Sequence, residues 1–270
     1  MRIAVLTADE TRHRYAVNRL RREFNVVAAA YEQTGYSPAS AGRDDGLDAW
    51  QRAVVRRHFD ERTRQEGRFF GHDARRAAAS DGLRVMNLSP GMLNSDATLG
   101  FLHAAGVDTV IVYGTNLIRE PLLSAYAGRI INMHLGLSPY YRGTATNFYP
   151  LVNQEPEYVG ATIHLIDAGI DSGPIIGHAR PVIEPDDVPH TIGCKAILAG
   201  LDRLIQAVRD LDAGRMIAVP QWPVPNPRLY LRRHFRPQHV VELYRLIDNG
   251  LIPNYVRRAA EAAARVRLVH

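Results

Sequence analysis

The sequence has 270 residues, 46% of them apolar, which suffices for one sizeable α/β domain plus an extension and is tight for two large domains. Its 33 basic and 28 acidic residues give a formal net charge of +5, which favours anionic partners, although no arginine run is dense enough to indicate nucleic-acid binding. The single cysteine, Cys194, excludes an intrachain disulfide framework, and the short apolar run at the N-terminus resembles neither a signal sequence nor a membrane span, so we expect a cytoplasmic protein.

The first part of the sequence predicts a Rossmann-like opening. Residues 2–8 are typical of a parallel strand, residues 12–24 of an amphipathic crossover helix, and residues 26–30 of the next strand. No glycine-rich loop of the dinucleotide or Walker type follows the first strand, so both of those nucleotide sites lose their main support. Arg12 and Arg14 follow that strand and either face an anionic substrate or are solvated charges at the start of the helix.

A long polar and helical segment separates the second strand from the third. Residues 33–46 carry the glycines and proline of a loop, and residues 47–80 predict one or two helices. For this helical insertion, at about residues 46–80, three alternatives remain: it packs against the core, it forms a dimer surface, or it covers a binding site as a lid. A homodimer is compatible with the second of these alternatives.

The remaining sequence alternates between strands and helices up to about residue 215. Strands are predicted at residues 83–88, 109–113, 129–134, 160–166 and 175–182, and helices at residues 94–105, from about 120, from about 143 to 153, and at 190–211. We divide the chain into a first unit at residues 1–215 and, at residues 216–270, a proline-rich linker with a helical C-terminal extension, in which helices are expected at residues 238–249 and 253–268.

Two of these strands carry polar residues at their ends. Asn132 and His134 alternate with apolar residues, so they lie on one face of their strand, and Asp167 and Asp171 follow the strand at residues 160–166. Ligands of open α/β sheets bind outside the carboxyl ends of the strands, where a carboxylate from one strand could meet a histidine from another. Either motif alone is more often simple turn chemistry.

Together, the two segments resemble the folate-dependent formyltransferase family, which includes glycinamide ribonucleotide, methionyl-tRNA and sugar N-formyltransferases. The residues that match the family pattern are Asn132, His134, Pro139, Arg142, Gly143, His164, Asp171 and Pro174. Residues 135–139 depart from the Pro-Ser-Leu-Leu-Pro type run that most of the family has at the acceptor side.

The resemblance implies a mostly parallel, twisted sheet flanked by helices and a formyl transfer from N10-formyltetrahydrofolate to a primary amine. Asn132 and His134 would donate hydrogen bonds to the formyl oxygen as it gains negative charge. His134 would also relay the proton of the attacking amine, and Asp171 would orient the imidazole.

The same resemblance implies further contacts and no metal. The residues expected to bind the cofactor are Tyr113, Gly114, Thr115, Asn116, Leu117, Ile118, His164 and Asp167. The residues expected to bind the acceptor substrate are Arg12, Arg142 and Asn147.

Three functions remain open at this point. The leading one is an N-formyltransferase acting on a small molecule, either an amino sugar, free or nucleotide-linked, or an amine of a specialised metabolite. A short, helical C-terminal segment argues against tRNA, because methionyl-tRNA formyltransferases carry a larger basic β-barrel there, so we expect neither nucleic acid nor membrane as a partner. The alternatives are a 10-formyltetrahydrofolate hydrolase, whose known relatives carry an N-terminal regulatory domain, and a non-catalytic protein that binds folate or a nucleotide.

Overall fold

A computed structural model describes residues 1–33, 46–75 and 82–270. Its strands are β1 (Ile3–Ala8), β2 (Val26–Glu32), β3 (Arg84–Leu88), β4 (Thr109–Tyr113), β5 (Ile130–His134), β6 (Tyr141–Gly143), β7 (Ala161–Leu165), β8 (Ile175–Ala179) and β9 (Arg228–Tyr230). Its α-helices are α1 (Thr11–Glu23), α2 (Ala49–Arg75), α3 (Asp96–Ala104), α4 (Leu122–Ala125), α5 (Tyr149–Val152), α6 (Pro189–Asp212), α7 (Pro237–Asp248), α8 (Leu251–Val256) and α9 (Ala259–Ala264).

The main sheet has seven strands in the order β3-β2-β1-β4-β5-β7-β8. The first five of these are parallel, whereas β7 runs antiparallel to β5 and β8 antiparallel to β7. A separate two-stranded parallel sheet joins β6 to β9. The predicted mostly parallel sheet is therefore confirmed.

Strand β1 explains why helices cover both faces of the main sheet. Ile3 and Val5 belong to an apolar cluster that includes residues of α1 and α6, whereas Ala4 and Leu6 belong to a second cluster that includes residues of α3 and α4. Alternate residues of a strand face opposite sides of its sheet. Since all four side chains are buried, helices must cover both sides of β1. The predicted Rossmann-like architecture, with helices in two layers, follows from this pattern and is confirmed.

The helical insertion is one long helix, α2, and it packs on the core. The ring of Phe70 lies 4.9 Å from that of Tyr15 in α1 and is almost completely buried. The side-chain amide of Asn18 donates a hydrogen bond to the carbonyl oxygen of Asp73 (2.7 Å). Packing against the core is therefore observed, the same helix also borders a cavity described below, and a dimer surface stays a prediction. The predicted loop at 33–46 and the end of the predicted helix fall mostly on residues 34–45 and 76–81, which lie outside the described residues.

Two predicted helices differ from the structure. A helix over residues 143–153 was expected, but Ala145 has a left-handed backbone (φ 58°), so only the single turn α5 follows it. The helix expected over residues 253–268 is divided into α8 and α9, since the backbone of Arg258 leaves the helical conformation between them (φ −119°).

The C-terminal extension is attached to the rest of the chain by backbone pairing. The N–H of Thr144 donates to the carbonyl oxygen of Tyr230 (2.8 Å), and a Cβ at Gly143 would lie 2.0 Å from that oxygen, so only glycine fits. Helix α7 packs on α2 through an apolar cluster that includes Val240. The division of the chain at residue 215 stays a prediction.

The described part of the chain contains neither a membrane-spanning helix nor a group of side chains suited to a metal ion. None of its helices combines the length and the apolar composition that crossing a bilayer requires. Its His, Cys, Asp and Glu side chains form no group of three or more that could hold a metal ion.

Two histidines, His58 and His190, connect α2 to α6. His58 Nδ1 lies 3.2 Å from His190 Nε2. Burial is the main cause that lowers the pKa of both rings, and the nearby charge of Arg62 acts in the same direction. The pKa of His58 falls to about 3 and that of His190 to about 4. Both rings are therefore neutral at pH 7.

This pair makes the stability of the protein sensitive to acid. Unfolded histidines titrate near pH 6.5, so the unfolded state binds more protons than the folded state between pH 6.5 and 4, and the free energy of unfolding falls as the pH is lowered through this range. We expect each ring to contribute up to about 1.4 kcal/mol per pH unit. Urea unfolding at pH 7, 6 and 5 should show a smaller slope for the double variant His58→Gln/His190→Gln than for the exposed control His72→Gln. Equal slopes in both variants would contradict the assignment.

Candidate functional site

A cavity of about 1120 Å³ lies at the edge of the sheet where β4 and β5 end. This is the place where ligands bind in open α/β sheets. All but one of the residues predicted for the site line the cavity. They are Arg12, Tyr113, Gly114, Thr115, Asn116, Leu117, Ile118, Asn132, His134, Asn147, His164, Asp167 and Asp171.

Asn132 and His164 stand directly opposite each other on β5 and β7. His164 Nδ1 lies 2.8 Å from the carbonyl oxygen of Leu165, which can only accept, so this nitrogen carries the proton and Nε2 accepts. Asn132 Nδ2 donates to that Nε2 (3.0 Å) and, over a longer 3.3 Å, to Asp171 Oδ1. These partners fix the orientation of the asparagine amide.

The carboxylate of Asp171 is the point at which the three predicted catalytic residues meet. Its Oδ2 lies 3.3 Å from His134 Nδ1 and accepts a hydrogen bond from the N–H of Gly143 (2.8 Å). Burial alone would raise the pKa of this carboxyl, but His134, His164 and the Gly143 N–H outweigh it and lower the pKa to about 2. Asp171 is therefore a carboxylate at neutral pH.

His134 lies between two hydrogen-bond acceptors. Its Nε2 is 3.0 Å from the carbonyl oxygen of Tyr141, and its Nδ1 faces Asp171. Burial lowers the pKa of His134, while Asp171 and the Tyr141 carbonyl act in the opposite direction. The neutral ring can satisfy one acceptor with its single proton, and a second proton would satisfy the other.

Gln221, which sequence reasoning did not single out, holds the backbone of Asp171. Its Nε2 donates to the carbonyl oxygens of Asp171 (2.7 Å) and Gly173 (3.0 Å). Asp171 has a left-handed backbone (φ 47°), which is uncommon for a residue other than glycine. Gln221 comes from the proline-rich linker, where no sequence pattern indicated a role in the site.

The loop at residues 113–118 is fixed by contacts with two neighbouring segments. Gly114 has a left-handed backbone (φ 68°), and a Cβ there would lie 2.3 Å from His13 Nε2. Asn94 donates from its amide to the carbonyl oxygen of Leu117 (2.9 Å) and accepts from the N–H of Arg119 (2.8 Å). These contacts fix the backbone of the loop in the wall of the cavity.

Asn116 and Asp167 were both predicted to bind the cofactor, and both also shape the loops that carry them. Asn116 Nδ2 donates to the buried Glu32 (2.8 Å), and its Oδ1 accepts from Arg232 (3.2 Å). Asp167 Oδ1 accepts from the hydroxyl of Ser172 (2.8 Å) within its own loop.

Arg12 lines the cavity as a paired cation rather than a solvated one. Its guanidinium pairs with Glu10 and with Glu66 Oε1 (2.7 Å), and its side chain is only 17% exposed. Burial lowers the pKa of Arg12, but the two carboxylates outweigh it and raise the pKa overall. A contact between Arg12 and the acceptor substrate stays a prediction.

The other two predicted acceptor residues are placed differently. Asn147 lines the cavity, where its Oδ1 accepts from the N–H of Gly160 (2.9 Å). Arg142 lies in β6, is absent from the cavity lining, and its buried Nε has no hydrogen-bond partner among the described residues. Arg142 therefore lies outside the cavity lining, and its contact with the acceptor substrate stays a prediction.

Sequence reasoning missed three further parts of the wall. Helix α2 contributes residues spaced four apart, α6 contributes residues of its first turns, and the C-terminal extension contributes a basic and aromatic segment. These residues include His58, Arg62, Glu66, His190, Gly193, Cys194, Arg232, Phe235 and Arg236. The four-residue spacing in α2 was the one available signal, since it places side chains on one helix face.

Two solved structures share this fold. Glycinamide ribonucleotide transformylase 1 from Symbiobacterium toebii is 24% identical, with a TM-score of 0.56 over 82% of this chain and 94% of that protein. The formyltransferase PseJ from Anoxybacillus kamchatkensis, in complex with UDP-4,6-dideoxy-4-formamido-L-AltNAc and tetrahydrofolate, is 17% identical, with a TM-score of 0.50 over 97% of this chain and all of that protein.

Sequence comparison identifies the family. A methionyl-tRNA formyltransferase from Clavibacter sepedonicus is 30% identical over 194 residues, which are 71% of this chain and 57% of that protein. The chain spans about half the length of the curated relatives it matches. The family model described as formyl transferase matches residues 40–208, more than half of the chain, which confirms the predicted resemblance. This chain belongs to the formyl transferase family.

Proposed function

We propose that this protein transfers the formyl group of N10-formyltetrahydrofolate to a primary amine of a small cytoplasmic molecule. The acceptor in this proposal is an amino sugar, free or nucleotide-linked, or an amine of a specialised metabolite. The observation that carries the proposal is the meeting of Asn132, His134 and Asp171 beside a loop that lines the same cavity.

The residues around loop 113–118 fit a folate. Val112, Ile118 and Ile166 provide apolar lining next to the loop backbone, the combination that a heteroaromatic ring requires. When bound, N10-formyltetrahydrofolate supplies the formyl group in a form that an amine can attack. Loop 113–118 would hold the cofactor, with Asp167 and its loop on the other side of the cavity.

The three central residues then have separate tasks. The Asn132 hydrogen that points to Asp171 over 3.3 Å is the more weakly bonded of its two amide hydrogens, so it can also donate to a formyl oxygen beside Asp171 while the bond to His164 keeps the amide in place. The neutral His134 can take a proton from the amine, because its second acceptor stabilises the imidazolium that forms. Asp171 orients that ring and, as a carboxylate, favours its protonated form.

The central experiment separates transfer from hydrolysis and from binding alone. Purified protein is incubated with N10-formyltetrahydrofolate, with and without amino sugars, nucleotide-linked amino sugars, amine metabolites and methionyl-tRNA. Tetrahydrofolate release only in the presence of a small amine, with a formylated product by mass, supports the proposal. Release without any amine indicates a hydrolase, and formylation of methionyl-tRNA alone would exclude a small-molecule acceptor.

Substitution of the three central residues should remove turnover without unfolding the protein. We expect losses in kcat of roughly 10²–10³ for Asn132→Ala, from one lost donor to the oxygen, and roughly 10²–10⁴ for His134→Ala, from the lost proton relay. Asp171→Asn keeps the shape and removes the charge, and should cost at least about tenfold. Exposed Asp186→Asn is the matched control. A residue whose variant turns over at the wild-type rate has no place in this scheme.

Gln221 should act as a positioning residue through Asp171. Gln221→Met keeps nearly the size of the side chain, adds no charge and cannot donate, so the Asp171 carboxylate should shift and support His134 less. We expect kcat to fall about tenfold and the acid limb of its pH profile to move to lower pH, because the Asp171 charge raises the pKa of His134. Gln206→Ala, at an exposed position, should leave both unchanged. An unaltered pH profile in Gln221→Met would mean that Gln221 supports the fold alone.

A further inference from the structure

One part of the cavity, here called the compartment, is bounded by α2 and α6. Helix α2 contributes His58, Arg62 and Glu66 to its wall, and α6 contributes His190 and Gly193. These residues line the same cavity as the central asparagine, histidine and aspartate. A ligand in this compartment therefore shares a continuous space with the reacting groups.

The charges in this compartment balance one another. Arg62 pairs with Glu66 (3.0 Å) and with Glu10 (2.9 Å), and Arg12 pairs with Glu66 (2.7 Å). An anionic ligand group would have to displace a carboxylate from one of these partly buried guanidinium groups, which is costly. The compartment is thus better suited to uncharged polar groups than to a phosphate.

The histidine pair supplies hydrogen-bonding groups without charge. The bond between His58 Nδ1 and His190 Nε2 uses one nitrogen of each ring, and the other nitrogen of each ring can donate to or accept from a ligand. A hydroxyl group both donates and accepts, so it matches either ring in either tautomer. Phe148 and Phe235, with ring centroids 5.1 Å apart, add an apolar surface to the same cavity.

Gly193 leaves room in the wall of the compartment. It is the fifth residue of α6, where glycine is about 1 kcal/mol less favourable than alanine. A Cβ at this position would meet nothing within 4 Å, so no neighbouring group requires glycine. Because glycine has no side chain, the cavity is wider at this position, and the helix is less stable than it would be with alanine.

We propose that this compartment binds the acceptor, and that His58 and His190 recognise the hydroxyl groups of an amino sugar while Gly193 makes space for its ring. This inference rests on the proposed formyl transfer, because an acceptor bound here has a role only if its amine reaches the formyl group. It assigns acceptor recognition to the insertion helix α2 and to the first turns of α6.

The test compares two glycines on helices. Gly193→Ala should fold at least as well as the wild type, since alanine favours the helix, but its methyl group enters the compartment. Gly67→Ala makes the same change at an exposed position of α2 where a Cβ also meets nothing. Binding of a set of aminodeoxyhexoses is measured by calorimetry, with cyclohexylamine as a ring of the same size without hydroxyl groups. We expect at least one aminodeoxyhexose to bind, tenfold or more tightly than cyclohexylamine, and Gly193→Ala to weaken it at least tenfold with no effect of Gly67→Ala.

His190→Phe adds a separate readout, because it keeps a ring and removes the hydrogen bonds. It should weaken aminodeoxyhexose binding and leave cyclohexylamine binding unchanged. The inference is overturned if no aminodeoxyhexose binds, if cyclohexylamine binds equally well, or if Gly193→Ala binds like the wild type. Binding of the sugar without tetrahydrofolate release would instead overturn formyl transfer and leave the acceptor compartment standing.

Discussion

The carboxylate of Asp171 is the interaction on which the site depends. It receives the amide of Asn132 and the ring of His134 from β5, and the backbone N–H of Gly143 from β6. A buried carboxylate without such partners would be neutral near pH 7 or would disturb the fold. Because each partner stabilises the charge, the charge in turn holds the partners together, and the reactive groups are positioned before any substrate arrives.

The insertion and the extension add walls to the cavity that the main sheet borders. Helix α2 lies against α1 and α6, and the segment around Phe235 adds a wall that the main sheet could not provide. The central sheet thus positions Asn132 and His134, while the added elements set the size and polarity of the space in front of them.

Sequence pattern predicted most of the sheet and the long helices, because the continuous apolar run of β1 and the broad apolar face of α6 are local properties of the sequence. The positions of Asn132 and His134 could be predicted as well, since both lie at the end of a strand. Long-range partners could not be predicted. Gln221 lies 50 residues from Asp171 in the sequence, and Arg12 meets Glu66 across 54 residues, so no local pattern records either contact.

The pairing of β6 with β9 also has a consequence for how the protein is made. Gly143, which donates to the central carboxylate, is held by a strand that leaves the ribosome much later, near Tyr230. Contacts between such distant parts of a chain form late in folding because a long loop must first close. A nascent chain that has completed its main sheet but not β9 therefore still lacks the strand that holds Gly143 against Asp171.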